Sequence, residues 1–331
     1  MDYVAPEDMI HGKGNILMGT RAGYAVSGTS GSTGEALPVN SGAILTNNAV
    51  FNLNLISLIG SLSATKYIPL FAMTAAPLRL EIQLVGNVNR AVAVADAGTD
   101  NIASWSLNNV EYVGEFLELS DSAISTIMAG AQSPLQYVLP SFRNYQWTAS
   151  VQTGIQVSMP VPAKFSSLKS LFVTSRVSAD ANGAVQRFPL ASIKNGLSSF
   201  QFRIGSQVVP SKAPSTDPEF AVEAFKCFAS IADLNHQPSI DLAAFTAGRA
   251  TLNDAATAAQ TNSGSFLIGL DCEVYAGADK NAYFAGLNTN TDDVYMQATY
   301  GTATTLDMRY DAFANYDQVL VCENGVAYVR F

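Results

Sequence analysis

Two blocks of alternating apolar and polar side chains, half a chain apart, constrain this sequence most. In the first, Ile155, Val157, Met159 and Val161 alternate with small or polar residues, and after a short break Leu168, Leu171, Phe172 and Val173 form a second apolar run. In the second, Leu306, Met308 and Tyr310 alternate likewise, a break at 312–317 follows, and Val319, Leu320, Val321 and Cys322 close the block. A period of two marks a half-buried strand, because successive side chains point to opposite faces of a sheet. Two such closings predict one β-rich unit used twice.

Other segments agree. Leu78, Leu80, Ile82 and Leu84 alternate with Arg79, Glu81 and Gln83, which predicts a strand. Val50, Phe51, Leu53, Leu55 and Leu58 suggest one more, and Trp105, Leu107, Val110, Tyr112, Val113 and Phe116 another one or two. Strands are expected near 146–160 and 168–177. Phe200, Phe202 and Ile204 begin a further set with a turn at Gly205, and strands follow near 266–275, 295–300, 305–310 and 318–331.

Helices are few. Ser120 or Asp121 can cap one that presents Ile124, Ile127 and Met128 on one face and ends at Gly130. The strongest signal has Asp217 as N-cap, Pro218 at the first helical position and Glu219 in the first turn, with Phe220, Ala224, Phe228 and Ile231 as the apolar stripe. A weaker helical stretch spans 243–260. Helices inserted among strands fit jelly rolls better than an immunoglobulin-like array.

Length sets the organisation. The 331 residues suit two domains of about 150 each. An arm at 1–48, carrying the Ser/Thr/Gly-rich loop 28–34, precedes a first unit at 49–178. The small, polar segment 178–184 begins a linker at 179–189, and a second unit fills 190–331. Charged residues make up only 14% against the usual ~25%, while 48% are hydrophobic, which suits large cores and surfaces buried against neighbouring subunits.

Charge and cysteine usage exclude several classes. The net charge of −9, with no Lys/Arg run, argues against direct nucleic-acid contact. Cys227, Cys272 and Cys322 are odd in number and widely spaced, so they read as buried apolar residues folded in a reducing compartment. The first eight residues lack the pattern of a signal peptide. The longest apolar stretch, 49–62, is interrupted by Asn52, Asn54, Ser57 and Ser61 and is too short to span a bilayer. No Asn-x-Ser/Thr sequon occurs, which disfavours a secreted glycoprotein.

Catalytic chemistry finds little footing. There are two histidines, His11 in the arm and His236 just after a helix, and the sequence has no Gly-x-Ser-x-Gly nucleophile elbow for either to serve. Gly12-Lys13-Gly14 lacks the spacing of a phosphate loop. Asn288, Asn290, Asp292 and Asp293 offer oxygen ligands that would suit Ca²⁺, but they miss the EF-hand pattern, and an exposed loop explains them equally well. A carboxylate pair for glycoside hydrolysis would come from Glu111, Glu115, Glu118 or Asp121, with Glu111 and Glu115 sharing a face on a strand. No catalytic, cofactor-binding or metal-binding residue is assigned.

Three stretches resemble the double jelly-roll major capsid proteins of icosahedral DNA viruses. The first is Lys66-Tyr67-Ile68-Pro69-Leu70-Phe71-Ala72-Met73, followed by Ala76 through Ile82. The second is Ser158-Met159-Pro160-Val161-Pro162-Ala163-Lys164-Phe165, running on to Val173. The third is Asn315-Tyr316-Asp317-Gln318-Val319-Leu320-Val321 with Gly325-Val326-Ala327-Tyr328. Taken loosely, the resemblance covers 50–331, and the chain's size is nearest the small membrane-containing phage members. It implies a mainly β protein of two tandem eight-stranded jelly rolls with a few short helices. The implied function is structural, not enzymatic: a virion protein whose homotrimers form pseudo-hexagonal capsomers. Implied partners are further copies of itself, minor capsid, penton or spike proteins, and an internal membrane beneath the shell, with the arm 1–48 either tying neighbouring capsomers or reaching that membrane. Two readings stay open beside it: a carbohydrate-binding or polysaccharide-processing β-sandwich, and a viral spike or accessory β-module.

Overall fold

The computed structural model describes residues 67–75, 78–82, 109–114, 116–130, 134–150, 156–178, 192–194, 196–227, 245, 266–273, 284–301, 307–323 and 325–331. The protein is mostly β, in two antiparallel sheets. The strands are β1 (Leu135–Ala149), β2 (Gln156–Val161), β3 (Leu168–Val177), β4 (Leu197–Ile204), β5 (Gln207–Val209), β6 (Ile268–Asp271), β7 (Val294–Tyr300), β8 (Met308–Glu323) and β9 (Val326–Arg330). Among the described residues two α-helices have full ranges, α1 (Asp121–Gly130) and α2 (Asp217–Lys226).

The pairing defines the architecture. β1 pairs with β8, β2 with β7, β3 with β6 and β4 with β5, all antiparallel, as in one long hairpin of four strands out and four back. Wrapping that hairpin brings β3 against β8 and β4 against β7. The resulting orders are β1-β8-β3-β6 and β2-β7-β4-β5. This is an eight-stranded jelly roll, a sandwich in which most connections cross from sheet to sheet. Both prolines inside strands, Pro140 on β1 and Pro160 on β2, lie on edge strands, where the missing N–H breaks no ladder.

The roll crosses the expected domain boundary. β1 and β3 pair with β8, so residues before and after the expected linker 179–189 belong to one sandwich. A division at 178–189 would cut it in two. The arm 1–48, the strand at 50–58 and the segment 179–189 lie outside the described residues.

The two alternating blocks are not equivalent. The break at 162–167 is real and carries the chain from β2 in one sheet to β3 in the other. The expected break at 312–317 does not exist, because β8 runs unbroken through it. Ladders on both sides, with β1 and β3, hold Ala312 and Asn315 extended despite their weak β preference, and the β1 ladder continues through Asp317. Residues 78–82, expected as a strand, pair with nothing among the described residues, and Leu78, Leu80 and Ile82 are exposed. α1 forms where expected, with the Ala123 N–H bonded to the Ser120 hydroxyl, but buries none of its residues.

The core lies between the sheets. Val161, Phe200, Phe202, Ile268, Met296 and Tyr310 interdigitate there, joined by the stacked pair Phe165–Tyr316 with ring centroids 3.8 Å apart. α2 covers β6, and the approach is close: a Cβ on Gly269 would lie 2.7 Å from the Ala224 Cα and from the Cys227 Sγ. Phe220 and Ala224, one turn apart, are the buried face of α2. The hairpin β4–β5 turns through Gly205 and Ser206, and Gly205 adopts φ 57°, which a glycine tolerates without strain.

The start of α2 is one residue earlier than expected. Thr216, not Asp217, is the N-cap, and its hydroxyl and the Glu219 side chain satisfy each other's backbone N–H groups. A hydrogen bond from Lys212 Nζ (2.6 Å) and others from the backbone N–H groups of Ser215 (2.9 Å) and Thr216 (3.2 Å) hold the Glu219 carboxyl down to about 2. A carboxyl depressed in the folded state stabilises fully above its ordinary value, near 4.5, and that contribution is lost as pH falls toward about 2. In a thermal melt series over that window, the wild type should lose stability more steeply than Glu219→Gln. Parallel curves would contradict the assignment.

Candidate functional site

Sheet length creates the most distinctive surface. β1 and β8 have 15 and 16 residues, roughly 50 Å each, while the longest strand of the opposite sheet has 8, roughly 27 Å. The ladder β1–β8 keeps one register throughout, so Tyr310, Ala312 and Leu320 all lie on its same face. Tyr310 and Ala312 meet the opposite sheet, whereas Leu320 and Cys322 project past its end.

A segment from upstream covers that overhang. Pro69 leads into a 3-10 turn at Leu70–Ala72, and Ala72 and Met73 pack with Leu139, Leu320 and Cys322 in a second small core. The Ala75 N–H donates to the Gly325 carbonyl at 2.9 Å, tying the segment to the β8–β9 turn. The first family-like stretch, read from sequence as leading into a strand, is therefore a clasp on the end of the roll.

Exposed apolar side chains concentrate in the chain from the clasp to α1. Among the described residues 21 large apolar side chains are exposed, and 13 of them lie between Tyr67 and Met128, a stretch that holds about a fifth of those residues. Val113 and Phe116 are the extremes, at 89% and 74% exposure. β9 adds Val326, Tyr328 and Val329, with Phe331 just beyond it. Among the described residues, β1 has one edge without a partner along its whole length. A long open edge with apolar neighbours is a surface that another chain or module can complete.

The sequence-derived candidates fare differently. Lys164 Nζ reaches the Asp293 carboxylate and the Asp292 carbonyl, both at 2.7 Å, so an ammonium serves that acidic loop. Asn288 accepts from the Asn290 N–H at 3.1 Å, an Asx turn. The loop borders a shallow depression lined by Ser158, Arg203, Asp292, Asp293, Tyr295 and Gln297, in which Tyr295 is the one aromatic. Glu111 and Glu118 are exposed in irregular chain and Asp121 starts α1, while Glu115, His11 and His236 fall outside the described residues. Cys322 is buried and Cys227 and Cys272 are half-buried, all three as free thiols. Burial pushes the Cys272 thiol up to about 12 and the Cys227 thiol up as well, which keeps both protonated and unreactive.

Among the described residues no helix is long and apolar enough to cross a membrane, and no three His, Cys, Asp or Glu side chains converge as metal ligands. What the fold presents is a jelly roll with an extended apolar flank.

Comparison with known proteins gives a partial likeness. No family model and no curated protein matches the chain. Among solved structures, PBCV-1 VP54 fitted into a reconstruction of the virophage Sputnik aligns over 64% of this chain and 55% of its own, at 12% identity and a TM-score of 0.40. The mavirus major capsid protein aligns over 60% of this chain and 41% of its own, at 15% identity and a TM-score of 0.35. The chain thus spans about half the length of these structures. Overlap of this extent leaves the functional reading to the chain's own strands and surfaces.

Proposed function

We propose that this chain is a viral major capsid protein, a structural subunit without enzymatic turnover. One observation carries the reading: the roll is incomplete by itself. Its longest ladder outruns the opposite sheet, the edge of β1 has no partner among the described residues, and exposed apolar side chains crowd the described chain between Tyr67 and Met128. Such surfaces mark the places where other copies or modules pack. The family-like stretches add support, since they fall on the clasp, on the β2–β3 crossing and on β8–β9.

In this reading the residues ahead of β1 supply a companion module, and three copies make a pseudo-hexagonal capsomer that tiles an icosahedral shell in the virion. The arm 1–48 ties neighbouring capsomers or reaches an internal membrane, and minor capsid, penton or spike proteins complete the shell. The acidic chain leaves the genome to another layer. The carbohydrate-binding reading has less support, because the depression beside Arg203 offers a single aromatic where a sugar platform needs several. Electron microscopy of the recombinant full chain tests the proposal. Hexagonal arrays or closed shells are expected. Dispersed monomers that bind a glycan array would overturn it.

A further inference from the structure

A buried ionic centre between β3 and β8 has chemistry beyond packing. β3 pairs Leu168 with Tyr316 and then Ser170 with Asn315, so Lys169 is the extra residue of a β-bulge. Bulges re-aim side chains, and this one buries an amine. Lys169 Nζ lies 3.7 Å from Asp317 Oδ1 on β8 and 3.5 Å from Glu273 Oε1 just past β6. The Asp317 side chain is fully buried, and 8% of the Lys169 side chain is exposed.

The two oxygens of Asp317 differ. Oδ2 accepts from the Ser167 hydroxyl at 2.8 Å and from the Phe284 N–H at 2.7 Å. The Ser167 hydroxyl is itself fixed by accepting from the Gly286 N–H at 3.1 Å. A Cβ on Gly286 would come 2.8 Å from that hydroxyl, so the bare glycine lets the 284–289 loop close over it. Oδ1 is buried and accepts no hydrogen bond among the described residues. One oxygen sits between two donors, where negative charge would gather in a tetrahedral intermediate. The other faces an amine and has nothing else to hold it.

We propose that Lys169 and Asp317 condense into an intramolecular isopeptide bond joining β3 to β8, with Glu273 as the proton carrier. Glu273 relays a proton from the ammonium to Oδ1, leaving a neutral amine and a neutral carboxylic acid. The nitrogen lone pair attacks Cγ, and the carbonyl electrons move onto Oδ2 between Ser167 and Phe284. Glu273 takes a proton from nitrogen and returns it to Oδ1. Collapse re-forms the C=O, breaks Cγ–Oδ1 and releases one water. Lys–NH₃⁺ and Asp–COO⁻ thus become one amide and one water, Glu273 is unchanged, and no oxidant or reductant takes part. The observed ion pair needs only side-chain movement to reach the near-attack separation of about 3–3.5 Å.

Energetics favour the step. The Lys169 and Asp317 charges are buried, while the Glu273 side chain keeps 30% exposure. Condensation removes the two charges that are costliest to bury and leaves the one that water reaches. Burial raises the Glu273 carboxyl, Lys169 pulls it down, and Asp271 and Asp317 push it up, with a net rise that suits a group passing protons. The bond does not depend on the function proposed above.

Intact-mass spectrometry of the folded full chain, denatured after incubation until its mass is constant, tests the proposal. The expected mass is one water, about 18 Da, below the sequence mass. Proteolysis should yield one branched peptide containing both Lys169 and Asp317, with no tryptic cleavage after Lys169. Glu273→Gln should fold, keep the unmodified mass and be cut there. Wild-type protein at its full sequence mass and cleaved after Lys169 would overturn the bond. A Glu273→Gln chain that loses water as fast as wild type would overturn the carrier role.

Discussion

Replacing Phe220 by alanine is expected to destabilise the roll by about 3–5 kcal/mol, the range for emptying a fully buried aromatic site. Its ring stacks on Phe200 with centroids 5.5 Å apart, meets Phe266 edge-on at 5.7 Å and lies 4.8 Å under Lys194 Nζ. The neighbours cannot collapse into the gap. Phe200 is fixed in the β4 ladder, and α2 is held against β6 by the close approach at Gly269. Urea unfolding should show a lower midpoint with little change of slope. A loss under about 1 kcal/mol would mean that α2 is not anchored by this residue.

Asp311→Ala is the second large effect, about 3 kcal/mol or more, and its cause is charge. Asp311 is buried on β8 and faces two guanidinium groups. Its Oδ2 accepts from Arg176 Nε at 3.1 Å and Nη2 at 2.7 Å, and its Oδ1 from Arg309 Nη2 at 3.2 Å. Alanine leaves two close cations without their shared carboxylate. Both arginines keep some exposure, which places the loss at the low end of the range for broken buried pairs. Unfolding of the single variants and of Asp311→Ala with Arg176→Met gives the test. The double variant should recover part of the loss, and additive losses would contradict the pairing.

Local signals in the sequence were legible where they were complete in themselves. The β2–β3 crossing, β4 with its Gly205 turn, β7 and α2 all follow from alternation, turn and cap residues close together in the chain. What failed depends on partners far away. Nothing near Ala312 or Asn315 announces that β8 continues, because the ladders on both its sides impose it. The alternation at Leu78–Ile82 shows two faces but names no partner, and the described structure supplies none. The expected linker rests on the small, polar residues after Val177. Composition cannot reveal that strands on both sides of it share a sheet.

The Lys169 centre was invisible for the same reason. Its members lie on β3, just past β6 and on β8, and the bulge that turns the lysine inward shows only in the register. The clasp was half legible: the stretch from Lys66 to Met73 stood out as family-like, while its place on the overhang follows from strand lengths that only the fold reveals.

The mass of the purified full chain in solution, by light scattering after size exclusion, tests the capsid reading most directly. A species of three times 35.0 kDa that persists on dilution is expected, with neighbouring copies covering the open β1 edge and the apolar flank. A clean 35.0 kDa monomer would contradict it, since a subunit stable alone in water has no need of the shell.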